Sequence, residues 1–312
     1  LIFDERRKML WDVLEKTKRG FVTVVFDTTD RISHMFYRYL DPTHPANKGK
    51  DVERHKHVMR DLYARMDSFL AEVRAKLGHD SDTILMVISD HGFCNFRRGV
   101  NLNTWLKQEG YLALKSGHET SGDWFAHVDW EKTRAFTLGL TGIFINRKGR
   151  EAKGIVESGA DLDRLCAEIK AKLEQLSDPQ TGELVVKEAF LTKKIHGGPY
   201  ADMAPEILVG YHRGFRHSWD CATGSVSKDV FMDNTKSWSG DHCVDPRLVP
   251  GVFWCNRAIN VSDPNLLDIA PTALDLFGIE APRYMTGRRL LGEVAKAVNQ
   301  GIRKEPELVA TE

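Results

Sequence analysis

Two short runs of apolar, largely β-branched residues constrain this chain most: residues 21–26 (FVTVVF) and 83–88 (TILMVI). Each is too short for an ordinary helix and too uniformly apolar for a half-exposed strand. Such runs predict strands buried on both faces, as in a sheet covered by helices. Both stop abruptly at polar residues, Asp27-Thr28-Thr29-Asp30 after the first and Ser89-Asp90-His91-Gly92 after the second. Ligands of open α/β sheets gather at the carboxyl ends of strands, so chemistry is expected at these two tails.

Helical periodicity fills much of the remainder. Residues 4–20 read as a helix, with Asp4 as its cap and Met9, Leu10, Val13 and Leu14 on one face. Residues 51–77 carry a longer stripe, and Gly78 stands where a terminating glycine belongs. Residues 100–108 and 162–176 predict further helices, and Pro271 suits the first turn of another that ends at Gly278. Residues 133–146, 206–211 and 252–255 read as strand material, and 292–312 as a polar helix with a loose tail. The alternation predicts an α/β fold, a mostly parallel central sheet with helices on both faces. The expected core is 1–102 with 241–290. Residues 103–240 are expected to supply a cap or insertion with the remaining core strands, and 291–312 a polar tail.

Composition removes several function classes. Lys plus Arg equals Asp plus Glu at 44 each, so the basic excess of a nucleic-acid binder is missing. The five cysteines include no C-x-x-C pair, which argues against a disulfide framework or a thiolate zinc site and favours a cytoplasmic location. No apolar run has the length of a membrane span. The chain opens on Leu1 with a helix feeding directly into a strand, an unusual start for an α/β domain. A missing N-terminal piece is therefore expected, and export is left open.

Three segments carry the chemistry. In Thr29-Asp30-Arg31-Ile32-Ser33-His34, a helix would bring Asp30 and His34 onto one face. Asp90 and His91 are adjacent at a strand end, where a glycine-assisted turn lets neighbouring side chains converge. The third segment is Ser239-Gly240-Asp241-His242-Cys243, a polar loop with a glycine close to a histidine. A lone histidine is more often a surface or hydrogen-bonded residue than a ligand. Asp-His pairs also arise by chance, so each segment alone is weak.

Taken in order, the three match a known pattern: Asp-x-x-x-His, then Asp-His-Gly, then a late Gly-x-His. The chain resembles the type I phosphodiesterases and nucleotide pyrophosphatases of the alkaline phosphatase superfamily. Residues 89–106, 237–254 and 268–279 are similar to an uncharacterised prokaryotic phosphohydrolase/phosphomutase group. The resemblance implies two divalent ions, zinc or manganese. It implies that Asp30, His34 and His242 share one ion and that Asp90 and His91 belong to the other. Two ions roughly 3.5–4 Å apart can clamp the attacking and leaving oxygens of a phosphoryl displacement. The expected substrate is a small phosphate mono- or diester.

The family pattern also calls for an early Asp ligand and a Thr or Ser nucleophile before Asp30, well separated from it. Only twenty-nine residues precede Asp30, and Asp27, Thr28 and Thr29 are too close to take those parts. The expectation is a truncated chain, weakly active or inactive by itself, whose nucleophile lies upstream of residue 1. The rivals are a phosphomutase, a sulfatase-like enzyme, and a non-catalytic metal-binding remnant or interaction protein. Five intact ligand positions argue against the remnant.

Other residues keep two readings. Asp27 is either an acceptor for a ligand histidine or a turn residue. Arg97 and Arg98 either bind phosphate or are solvated. Asp241 either orients His242 or caps a loop. His196-Gly197-Gly198-Pro199 lines a pocket or simply turns. Trp124, Trp130, Trp219 and Trp238 either stack on a substrate or form a small core.

Overall fold

The structure is a computed structural model that describes residues 1–78 and 82–292. In chain order the helices are α1 (Ile2–Lys16), α2 (Thr28–Phe36), α3 (Val58–Leu77), α4 (Leu102–Gln108), α5 (Ala160–Leu173), α6 (Thr192–Ile195), α7 (Trp219–Ala222) and α8 (Ile269–Leu276). The strands are β1 (Met86–Ile88), β2 (Cys94–Val100), β3 (Ala135–Thr137), β4 (Gly142–Ile145), β5 (Val186–Leu191), β6 (Ile207–Tyr211), β7 (Gly214–His217), β8 (Phe231–Asp233), β9 (Gly240–Asp241) and β10 (Phe253–Cys255). The α/β composition is as expected. The polar tail expected over 291–312 lies, from residue 293, outside the described residues.

The chain divides into two compact units. The first comprises Leu1–Arg65 and Phe93–Val249; the second comprises Met66–Gly92 and the described residues from Pro250 onward. In the first, β2 is the centre of one sheet, with β7 and β8 on its flanks and β9 paired to its start. A second sheet has the order β3-β4-β6-β5. Its apolar face and α4 and α5 enclose the main core, which includes Leu102, Leu106, Tyr111, Ile143, Ile145, Ile169, Leu173 and Ile207. In the second unit β1 pairs with β10, and Asp268 ties the start of α8 to the following chain through the Arg288 N–H at 2.6 Å.

The mostly parallel sheet is corrected. Among the described strand pairs only β2·β7 is parallel, and the other six are antiparallel. A parallel pair needs a crossover of about a dozen residues or more. The hairpin between Thr137 and Gly142 leaves no room for one. Residues 21–26 are not a strand, and Phe21 and Val25 are exposed. Of residues 83–88 only β1 is regular, and Ile88 is exposed. An apolar run reports a preference for cover and carries no information on which strand will lie beside it.

Two helix starts also shift. The first helix begins at Ile2, so Asp4 sits in its first turn rather than at its cap. The third begins at Val58, because the Asp51 carboxylate accepts the Glu53 N–H at 3.0 Å and holds a local turn there.

Candidate metal centre

Asp27 stands at the cap of α2, and its carboxylate accepts from Arg31 Nε at 2.8 Å. Asp30 lies in the first turn, where a carboxylate suits the helix dipole. His34 follows one turn later, almost fully buried. As the spacing predicts, the two side chains meet: His34 Nε2 is 3.5 Å from Asp30 Oδ1.

The tautomer of His34 follows from its other nitrogen. Nδ1 donates to the Gly240 carbonyl at 2.8 Å. In the neutral imidazole Nε2 then carries the lone pair, on the side of Asp30, as a metal ligand requires.

His242 comes from far along the chain. Its Nε2 is 3.9 Å from Asp30 Oδ1, and its ring centroid is 5.2 Å from that of His34. One donor atom from each of Asp30, His34 and His242 lies within 4.8 Å of the others. Ligands on one tetrahedral zinc stand roughly 3.3 Å apart, given metal–ligand lengths of about 2.0–2.1 Å. The two observed separations need only a small closure to reach that value. One carboxylate and two imidazoles form a donor set that suits zinc or manganese, so these residues fit such an ion.

The register of β9 delivers His242. Cys94 pairs with Asp241 and Asn95 with Gly240. The Ser239 N–H donates to the His34 carbonyl at 2.7 Å, pinning this loop to α2. The approach demands glycine at position 240. A Cβ there would stand 2.4 Å from the Ser33 carbonyl oxygen and 2.7 Å from Tyr37 Cβ.

Asp241 lies beside this cluster, and its oxygens are already occupied. Oδ1 accepts the N–H groups of His242 and Cys243 at 2.8 and 2.9 Å. Oδ2 accepts Trp238 Nε1 at 2.8 Å and lies 2.7 Å from Arg216 Nε, a charge contact without hydrogen-bond alignment. Burial works to raise the Asp241 pKa, but the Arg216 charge and these N–H donors outweigh it and hold the carboxyl below its usual range. Burial and the Asp241 charge push the Cys243 thiol up to about 11, so it stays protonated. The grouping of Asp241, His242 and Cys243 therefore lacks a free carboxylate and a thiolate.

Asp90 and His91 meet each other within the second unit. The His91 N–H donates to Asp90 Oδ1 at 3.1 Å, and His91 Nε2 is 3.5 Å from Asp90 Oδ2. His91 Nδ1 donates to the Gly92 carbonyl at 3.0 Å, so its Nε2 is the nitrogen on the side of an aspartate.

Asp27 occupies the cap position of α2, paired with Arg31. Arg97 pairs with Asp41 and reaches Thr43 Oγ1 at 3.0 Å. Arg98 grips buried Asp178 through two nitrogens at 2.8 and 3.2 Å and reaches Asp233 at 2.7 Å. Both guanidinium groups are thus engaged internally. Residues 196–199 are exposed. Trp124 is exposed at a positive φ of 58°, while Trp130 packs edge-on against Phe125 and Phe136.

Two neighbours of the cluster take roles that the sequence reading does not give them: it reads Trp238 as a stacking or core residue and does not single out Arg216. Trp238 stacks on His34 with centroids 3.7 Å apart, and Arg216, fully buried, contacts Asp241. Neither has a spacing that marks it. The local signal for Trp238 is the short Trp238-Ser239-Gly240-Asp241 link, and Arg216 has none.

No helix among the described residues is long and apolar enough to cross a membrane. A search of curated proteins finds no match. The type I phosphodiesterase / nucleotide pyrophosphatase family profile matches residues 3–225. That span contains Asp30, His34, Asp90 and His91, while His242 lies beyond it. It covers more than half of the 312 residues, and the chain belongs to the type I phosphodiesterase / nucleotide pyrophosphatase family.

Proposed function

We propose that this chain carries the metal-binding residues of a divalent-metal-dependent hydrolase of small phosphate mono- or diesters. Asp30, His34 and His242 hold one ion in this reading, and Asp90 and His91 are ligands of a second. Zinc is the first candidate and manganese the next, from the imidazole and carboxylate donors. The observation that carries the reading is the meeting of Asp30, His34 and His242 with the His34 tautomer set by Gly240. Bound divalent ions polarise phosphoryl oxygens and stabilise the leaving oxygen. The chain's own contribution is orientation: α2 holds two ligands at one-turn spacing, and the loop before His242 is locked to that helix. The nucleophile role is assigned to no residue of this chain.

The test is metal content by plasma mass spectrometry, on the dialysed protein and on His242→Ala, joined to hydrolysis of p-nitrophenyl phosphate esters with added Zn²⁺ or Mn²⁺. Retained metal in the wild type, reduced in the variant, with metal-dependent hydrolysis, supports the reading. Absence of metal from both proteins overturns it. Metal binding without hydrolysis keeps the centre and removes the hydrolase assignment.

A further inference from the structure

Behind the two histidines of the cluster lies a layer of side chains built on Trp238, Asp241 and Arg216. Trp238 belongs to both halves of it. Its ring lies against the His34 imidazole, 3.7 Å between centroids and 27° from parallel. Its indole N–H donates to Asp241 Oδ2 at 2.8 Å, and the other oxygen of that carboxylate holds the His242 N–H at 2.8 Å. One side chain thus links a ligand on α2 to a ligand more than two hundred residues later.

The layer is anchored from below. Arg216 is buried and lies 2.7 Å from the same Asp241 oxygen. Its guanidinium sits over the Trp219 ring at 4.2 Å and the Phe96 ring at 5.0 Å. Trp219 meets Trp238 edge-on with centroids 6.0 Å apart. A stacked guanidinium is held in a fixed plane, so the Asp241 carboxylate faces a fixed charge. Residues behind metal ligands that fix their orientation commonly change metal affinity by about 10- to 100-fold.

We infer that Trp238 is a positioning residue that sets His34 and His242 in one geometry through its ring and its indole N–H, with Arg216 and Asp241 as its anchor. The inference rests on the reading of Asp30, His34 and His242 as ligands of one ion.

The experiment titrates the chain with Co²⁺ and follows the visible absorption of the bound ion. Circular dichroism and thermal melting report the fold of each variant. Trp238→Phe keeps a ring against His34 but removes the N–H. Trp238→Ala removes both. Weakening of Co²⁺ affinity by about tenfold in Trp238→Phe and toward about 100-fold in Trp238→Ala supports the inference. A changed cobalt spectrum in Trp238→Phe supports it further. Should Trp238→Ala fail to fold, Trp238→Phe decides alone. Wild-type affinity and an unchanged spectrum in Trp238→Phe, with binding abolished in His34→Ala, overturn the positioning role and leave the metal reading intact. No cobalt binding by the wild type overturns both.

Discussion

The Gly240 carbonyl accepts the Nδ1–H of His34 at 2.8 Å, across 206 residues of sequence. This bond decides which imidazole nitrogen is available to an ion, and it exists because glycine lets the loop press against α2. Gly240→Ala is expected to force the loop away from Ser33 and Tyr37. Overpacking of this kind costs about 1–3 kcal/mol. Urea unfolding should show that loss, and Co²⁺ affinity should fall with it. A variant with wild-type stability and affinity would show that the close approach has no energetic weight.

Arg216 and Asp241 are both buried, each with 2% of its side chain exposed. Removing one member of such a pair strands the other charge, at a cost of about 3–5 kcal/mol. Arg216→Met is expected to lose stability on that scale. Arg216→Met combined with Asp241→Asn should recover part of it. A double-mutant cycle by denaturant unfolding measures the coupling, and strict additivity would contradict it.

Arg98 joins buried Asp178 to Asp233. Arg98→Ala is expected to destabilise the protein by about 3 kcal/mol while leaving Co²⁺ affinity unchanged. Thermal melting and cobalt titration of the same sample separate the two effects. Weaker metal binding at unchanged stability would return Arg98 to the candidate site.

His217 is fully buried, with Tyr211 Oη 2.9 Å from Nδ1 and Thr137 Oγ1 3.2 Å from Nε2. Burial, aided by the Arg216 charge, lowers its pKa to about 3. The unfolded chain takes up this proton near pH 6.5, whereas the folded one resists until about 3. The stability due to neutral His217 is therefore complete above about pH 6.5. It is lost progressively as the pH falls toward the folded value. His217→Gln should flatten the pH dependence of unfolding free energy across that window. An unchanged slope would show that His217 does not govern the acid limb.

Local sequence determined much of the candidate centre. The four-residue step from Asp30 to His34 needs only a helix to bring the two together, and α2 forms where the polar tail after residues 21–26 begins. Asp90 and His91 meet because they are neighbours. The strands over 206–211 and 252–255 and the helices around Leu165 and Leu274 were legible for the same reason, since their periodicity is local. Tertiary structure alone decided the rest. The position of His242 depends on the pairing of β9 with β2 and on the absence of a side chain at Gly240. Trp238 and Arg216 acquire their contacts from that same arrangement, with no spacing to announce them. The expected parallel sheet failed on the same ground. An apolar run states that it favours burial, but strand direction is set by the length of the connection and by which distant edge is available.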